Sequence, residues 1–271
     1  MFFDQLLIMV EEDAAIETEE LSKRYGDVVA VRALTLRVER GEVYGFLGPN
    51  GAGKTTTMRM LTTLTKPTSG TAHVAGFELS ERGGLTERIG YLPAEPPVFD
   101  ELTGREYLRY IARLRELEST VAEERIDSML RRFDLLTDAG RLIEGYSTGM
   151  KKKLGVIGAV LHDPDVLFLD EPTNGLDPRA ARTMRDTIAE LAEQEMAVFL
   201  STHILSVADE LADIVGVIHD GQLVAQGPPE ELKDRVESTT AVDLETVFLE
   251  VTAAERKGGE SESRATAKTY L

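Results

Sequence analysis

The sequence predicts an α/β chain: a mainly parallel sheet with an antiparallel β subdomain at its N-terminal side and a helical subdomain inserted into the core. Three observations predict it. Short apolar runs at Val43 to Leu47, Val166 to Leu169, Ala197 to Leu200 and Ile214 to Ile218 have the continuous hydrophobicity of strands buried on both faces. Helical stretches near 178–195 and 204–212 separate the last three, the alternation expected of parallel strands. From Glu101 to about Leu161 the apolar spacing is almost wholly helical, with Leu108, Ile111, Leu114 and Leu117 on one face and Ile126, Leu130 and Phe133 on another.

The elements follow in order. Residues 1–14 read as a lead-in: MFFDQLLIMV is apolar but contains Asp4, has no basic leader and no small-residue cleavage pattern, so it is not a signal peptide. Met9 opens an acidic stretch, and residues 1–8 read as a candidate over-extended start. Ala15 to Leu21 and Leu34 to Val38 alternate as two antiparallel strands around a Gly26-Asp27 turn. Val43 to Leu47 is a central strand, followed by a glycine-rich loop and a helix with Met58, Met60, Leu61 and Leu64 at helical spacing. Lys66-Pro67-Thr68-Ser69-Gly70 stops that helix, and Thr71 to Phe77 reads as one strand. Asp220-Gly221 folds Gln222 to Ala225 back as a hairpin. The main domain spans 15–250, with its helical insertion at about 94–164, and residues 251–271 lack periodicity and read as a disordered tail.

Composition narrows the function. The chain has 271 residues and 42% apolar content, enough for a large core, and 48 acidic against 30 basic residues give a formal charge of −18. A broad basic face for nucleic acid or anionic lipid is therefore hard to build, and any polyanion must be held locally. The charges are 31 Glu, 17 Asp, 21 Arg and 9 Lys, a halophile-like acidic surface that repels itself in dilute salt and suits concentrated salt. No Cys is present, so disulfides, thiolate metal sites and Cys nucleophiles are excluded together. No apolar stretch approaches the roughly 18 to 20 residues of a membrane span.

The local grip is Gly48-x-x-x-x-Gly53-Lys54-Thr55 between a strand and a helix, a phosphate loop in its required context and the mark of a P-loop NTPase core. The loop of Gly48, Pro49, Asn50, Gly51, Ala52, Gly53, Lys54, Thr55 and Thr56 turns its backbone N–H groups, which Pro49 alone lacks, toward phosphate oxygens. Lys54 supplies an ammonium for the β and γ phosphates, and Thr55 offers its hydroxyl to Mg²⁺. The apolar run ending in Asp170-Glu171 delivers two carboxylates at the ligand-binding edge of the sheet. Asp170 is placed to hold Mg²⁺ through water, while Glu171 points to the other side of the strand and deprotonates an attacking water.

With these motifs the sequence resembles the ATP-binding cassette family of transport ATPases over roughly residues 15–250. Tyr146-Ser147-Thr148-Gly149-Met150-Lys151 is similar to the family signature, usually Leu-Ser-Gly-Gly-Gln, with Thr148 and Met150 as departures. The resemblance implies that Ser147 and Gly149 close over the γ-phosphate bound by a second subunit; without it, Ser147 is an N-cap. It further implies that Gly175-Leu176-Asp177 is the loop by which subunits sense each other, with Asp177 near the nucleotide. Tyr25 matches the aromatic on which adenine stacks, against a plain turn tyrosine. Ser201-Thr202-His203 resembles the switch histidine, and His203 follows a strand expected beside that of Asp170, so its imidazole reaches the γ-phosphate. His73, His162 and His219 have no such placement. Where the family has a metal-touching Gln, this chain has Ala94, so either water fills the gap or Glu95 swings in, and coupling is slowed or loosened.

The resemblance implies an ATPase using ATP and Mg²⁺, paired with a second copy or paralogue and docked on a multi-span permease at the cytoplasmic face of the membrane. Tyr-Leu-Pro-x-x-Pro, the Tyr-Ser-x-Gly-Met signature and a helix at Asp243 to Leu249 are similar to the exporter branch for drugs, ions and lipids. An importer ATPase is the nearest alternative. Chromosome-maintenance and translation cassettes fit less well, because only about 100 residues separate loop and signature and the chain has one acidic cassette; no nucleic-acid partner is expected.

Overall fold

The computed structural model describes residues 14–234; the expected lead-in but for Ala14, the Asp243 to Leu249 helix with the end of the 15–250 domain, and the 251–271 tail lie outside the described residues. Strands β1 (Ala14–Tyr25) and β2 (Val28–Glu39) pair antiparallel around Gly26-Asp27, as expected, and run longer than the apolar alternation indicated. Register shifts on β1 explain the lost alternation in its second half. The single strand expected from Thr71 to Phe77 is instead a hairpin. Ala75 and Gly76 both take positive φ and fold β4 (Ser69–Val74) back onto β5 (Phe77–Glu78), completing a sheet of order β2-β1-β4-β5.

The second sheet combines β3 (Val43–Leu47), β6 (Ile89–Leu92), β7 (Val166–Asp170), β8 (Ala197–Thr202), β9 (Ile214–His219) and β10 (Gln222–Gly227) in the order β10-β9-β3-β8-β7-β6. All neighbours are parallel except β10, which returns through Asp220-Gly221. The four-residue edge strand β6 escaped the sequence reading because it is too short to show a period.

Alternation across this sheet fills two large cores, and a third, smaller one gathers around Leu47, Val215 and Val217. Phe46, Phe168 and Phe199 face the antiparallel sheet, where Tyr44 stacks on Phe199 with centroids 5.2 Å apart. Leu167, Leu169, Val198 and Leu200 face the helices. With both faces covered, a polar residue at either phase would be buried, which is why these runs read as continuously apolar. Each such side chain withdrawn from water contributes about 1.5–3 kcal/mol.

The helices are α1 (Lys54–Leu61), α2 (Arg82–Arg88), α3 (Gly104–Leu114), α4 (Ser119–Arg132), α5 (Thr148–Val160), α6 (Pro178–Ala192), α7 (Leu205–Leu211) and α8 (Pro229–Asp234). Leu64 lies beyond the end of α1 and is exposed. The expected face of Leu108, Ile111, Leu114 and Leu117 does not hold as drawn: Leu108 is buried, but Leu114, the last residue of α3, is exposed. A spacing of three drifts round a 3.6-residue helix, and the chain then turns at Glu116, whose φ is positive. Ile126, Leu130 and Phe133 are buried together as expected. Asp134, again at positive φ, ends that stretch, so the helical signal to Leu161 is interrupted by turns.

Candidate active site

Three adjacent parallel strands end level with one another. Leu47 of β3 pairs with Thr202 of β8, and Ser201 of β8 pairs with Asp170 of β7. Gly48, His203 and Glu171, each the residue after a strand end, therefore emerge side by side at the carboxyl edge, where ligands bind in open α/β sheets. Glu171 and His203 border a cavity of about 360 Å³, into which Asn50, Lys54, Thr55 and Asp170 also project.

Glycine is sterically required in the loop. A Cβ on Gly48 would lie 2.4 Å from the Ile218 carbonyl oxygen, and one on Gly53, at φ 111°, would lie 2.5 Å from that of Ala30. Gly53 also stands at the N-cap of α1, where no side chain caps the helix, so the first-turn N–H donors face the cavity as an anion site. Pro49, Gly51, Gly53 and Thr56 line the cavity too. Gly48 and Ala52 do not: Ala52 packs into the core and its carbonyl accepts from Gly221 N at 3.0 Å, while Gly48 N donates to Thr202 O at 3.3 Å. These two anchor the loop that the others present. The Lys54 ammonium is buried, donating to Gly48 O at 2.6 Å and lying 3.4 Å from Glu171 Oε1.

The two carboxylates differ in their surroundings. Asp170 is buried and accepts from Thr55 Oγ1 at 2.9 Å and from Ser201 Oγ at 2.5 Å. Glu171 does not point to the other side of the strand, as alternation implied. It has already left β7, at φ 51°, and that left-handed turn brings its carboxylate into the same cavity as Asp170. There Glu171 Oε2 lies 2.9 Å from His203 Nδ1. Nearby on β6, burial and then the charge of Asp170 push the Tyr91 phenol up to about 12.

The remaining expected residues fall elsewhere. Ser147 Oγ accepts from Met150 N at 3.2 Å and caps α5, and Asp177 Oδ1 accepts from Arg179 N and Ala180 N at 3.0 and 2.9 Å and caps α6. With Gly149 they border a separate cavity of about 200 Å³, apart from Lys54. A Cβ on Gly149 would meet only ordinary contacts, Ala180 Cβ at 3.5 Å, so packing within the chain does not demand glycine there. Tyr25 ends β1 half-exposed, its ring centroid 4.9 Å from Lys23 Nζ, and is not among the residues bordering the first cavity. Ala94 lines that cavity, whereas Glu95 is exposed and does not. His73 is exposed, His219 is buried, and His162 is half-buried with Nε2 3.0 Å from Ile89 O.

Sequence reasoning missed Ser201, Asn174 and Lys152. Ser201 Oγ donates to Asp170 and accepts from Glu171 N at 3.2 Å, joining the two carboxylate residues. Lys152 hides in the run Lys151-Lys152-Lys153, which reads as a solvated face, yet it is only 3% exposed. Helical phase gives no signal for it, since Leu154 to Val160 are all buried and the residues four and seven positions after Lys151 and Lys153 are buried as well.

Chemically the cavity offers backbone and ammonium donors for phosphates, an oxygen pair for a hard cation, and a carboxylate beside an imidazole for a water. Comparisons with known proteins agree with that chemistry. A family profile described as ABC transporter matches residues 31–174. The chain is 42% identical over 222 residues to the daunorubicin resistance ATP-binding protein DrrA3 of Streptomyces coeruleorubidus, covering 82% of this chain and 70% of that protein. It is 42% identical to the bacitracin transport ATP-binding protein BcrA of Bacillus licheniformis, covering 81% and 72%. The ABC transporter ATP-binding protein NatA of Bacillus subtilis is 36% identical over 240 residues, covering 86% and 96%. Among solved structures, an ATP-binding subunit of an ABC transporter superposes with a TM-score of 0.80 at 30% identity, covering 88% of this chain and 99% of that one. The protein cbiO1 of Clostridium perfringens, part of the ABC transporter complex cbiONQ, gives 0.75 at 26%, covering 93% and 100%.

Proposed function

As the chain belongs to the ABC transporter family of ATP-binding ATPases, we propose that it hydrolyses ATP to drive export of a drug-like, ionic or lipid-like cargo through a separate membrane permease. Support for export comes from its relatives in daunorubicin resistance and bacitracin transport. No helix among the described residues is long and apolar enough to cross a membrane, so the translocation path is assigned to a partner. The ATPase acts as a pair with a second copy or paralogue at the cytoplasmic face, within a domain of about 15–250 whose helical insertion covers about 94–164.

The carrying observation is the convergence of Lys54, Thr55, Asp170, Glu171 and His203 on one cavity. The loop donors and Lys54 hold the phosphates, and Tyr25, outside the cavity lining, stacks the adenine. Thr55 Oγ1 and Asp170 Oδ2, 2.9 Å apart, fit a hard cation that takes few protein oxygens and shares the phosphates. No group of three His, Cys, Asp or Glu among the described residues suits a metal alone, which agrees with a cation arriving with its nucleotide. Thr55 and Asp170 would hold Mg²⁺ there, where it would offset phosphate charge. Glu171 takes a proton from water as its oxygen attacks the γ-phosphorus and the bond to the β-phosphate oxygen breaks, giving ADP and phosphate. His203 orients Glu171 and the transferring group. Ser147 and Gly149 of the second subunit, with Asp177 beside them, supply donors that the chain's own cavity lacks.

Phosphate release by the purified chain tests this reading. Glu171→Gln is expected to bind ATP normally, hydrolyse it at least about tenfold more slowly and accumulate a closed dimer. Wild-type rates in that variant exclude Glu171 as the base. Co-purification with the permease encoded beside the chain, and cargo-stimulated hydrolysis in that complex, tests the transport assignment.

A further inference from the structure

Lys152 is a buried ammonium that the chemistry above does not use. It sits in α5, and its Nζ donates to two backbone carbonyls, Glu171 O at 2.7 Å and Asn174 O at 2.6 Å. A buried cation is costly unless its position answers a need, and an unbranched apolar side chain would fill the same space. The need is visible at Glu171. This residue holds φ 51°, a region that non-glycine residues leave unless neighbours over-determine it. Its N–H is pinned by Ser201, donating to Oγ at 3.2 Å and to the carbonyl oxygen at 3.1 Å. Its C=O is pinned by Lys152, which also ties down Asn174, whose own N–H donates back to Glu171 O at 3.2 Å.

Both peptide planes of Glu171 are thus fixed from different elements, β8 on one side and α5 on the other. Only then is the side chain committed to the cavity between Lys54 and His203. Lys152 does not line that cavity, so it touches neither nucleotide nor water. We infer that Lys152 is a positioning residue for hydrolysis: by gripping the Glu171 and Asn174 carbonyls it holds the left-handed turn that aims the Glu171 carboxylate. This rests on the reading of Glu171 as the base.

The test uses the full chain with Mg²⁺ and ATP, measuring phosphate release, binding of a fluorescent ATP analogue and the thermal midpoint. Lys152→Met is expected to keep nucleotide affinity within about twofold while kcat falls at least about tenfold, since a misplacement near 1 Å can cost about a hundredfold. Lys152→Arg, which keeps charge and donors, is expected to recover kcat to within about threefold. If Lys152→Met does not fold, Lys152→Leu, which likewise has no donor, takes its place with the same expected split. In the Glu171→Gln background Lys152→Met is expected to lower the residual rate less than twofold, because both changes act through one group. An unchanged kcat in Lys152→Met, or equal losses in the wild-type and Glu171→Gln backgrounds, overturns the inference. If the wild type itself is no faster than Glu171→Gln, the base assignment has failed and the inference falls with it, an outcome distinct from a normal wild type with a silent Lys152→Met.

Discussion

The imidazole Nδ1 of His203 lies 2.9 Å from Oε2 of Glu171, although the two residues are separated by a whole helix and strand. Glu171 in turn lies 3.4 Å from the Lys54 ammonium through its other oxygen, so one carboxylate is held between the loop and the end of β8. His203→Ala removes the partner that fixes the carboxylate rotamer. The expected result is a fall in kcat of about a hundredfold with ATP affinity changed less than about threefold, measured by phosphate release and nucleotide titration.

Ala94 borders the cavity, in the loop that leaves β6 for the helical insertion, and its methyl offers no donor or acceptor. Ala94→Gln places an amide there. In the complex with the permease, this variant is expected to raise cargo stimulation of hydrolysis by at least about twofold, while the Km for ATP of the isolated chain changes little. An unchanged rate and equal stimulation in the two proteins would show that the position takes no part in coupling.

His162 contributes to the pH dependence of stability. Burial, and then the positive charge of Arg115, push its pKa down to about 4, and its Nδ1 is buried without a hydrogen-bond partner. Because the folded value lies below the unfolded one, the unfolded chain binds the proton first as pH falls. Stability is therefore whole above about pH 6.5 and declines toward pH 4, by about 3 kcal/mol at most. Denaturant unfolding of His162→Gln across pH 4 to 7 is expected to show a shallower decline than the wild type. Parallel curves would assign the acid sensitivity to other groups.

The formal charge of −18 repels itself, and the ion pairs of the described residues are mostly Arg to carboxylate at the surface, where each contributes about 0–1 kcal/mol. Screening is therefore expected to gain more than it loses. Raising KCl from 0.1 M to 2 M is expected to lift the thermal midpoint by several degrees, equivalent to about 1–2 kcal/mol. A midpoint that falls with salt would mean that attractive pairs outweigh the net repulsion.

Sequence by itself determined the phosphate loop, because its glycines, Lys54 and Thr55 are contiguous and their chemistry is local. It determined the buried parallel strands as well, since covering both faces of a sheet leaves an unbroken apolar run. Tertiary structure alone decided which residues from distant segments meet. Thr55 reaches Asp170 across 115 positions because β3 and β7 flank β8 in the sheet, and no local pattern records strand order. It also reversed the expected aim of Glu171: strict alternation sends consecutive residues to opposite faces, but a single positive φ, held by Ser201 and Lys152, turned both carboxylates into one cavity. Left-handed backbone at a glutamate carries no sequence signal, since it is imposed by hydrogen bonds from elements 19 and 30 residues away.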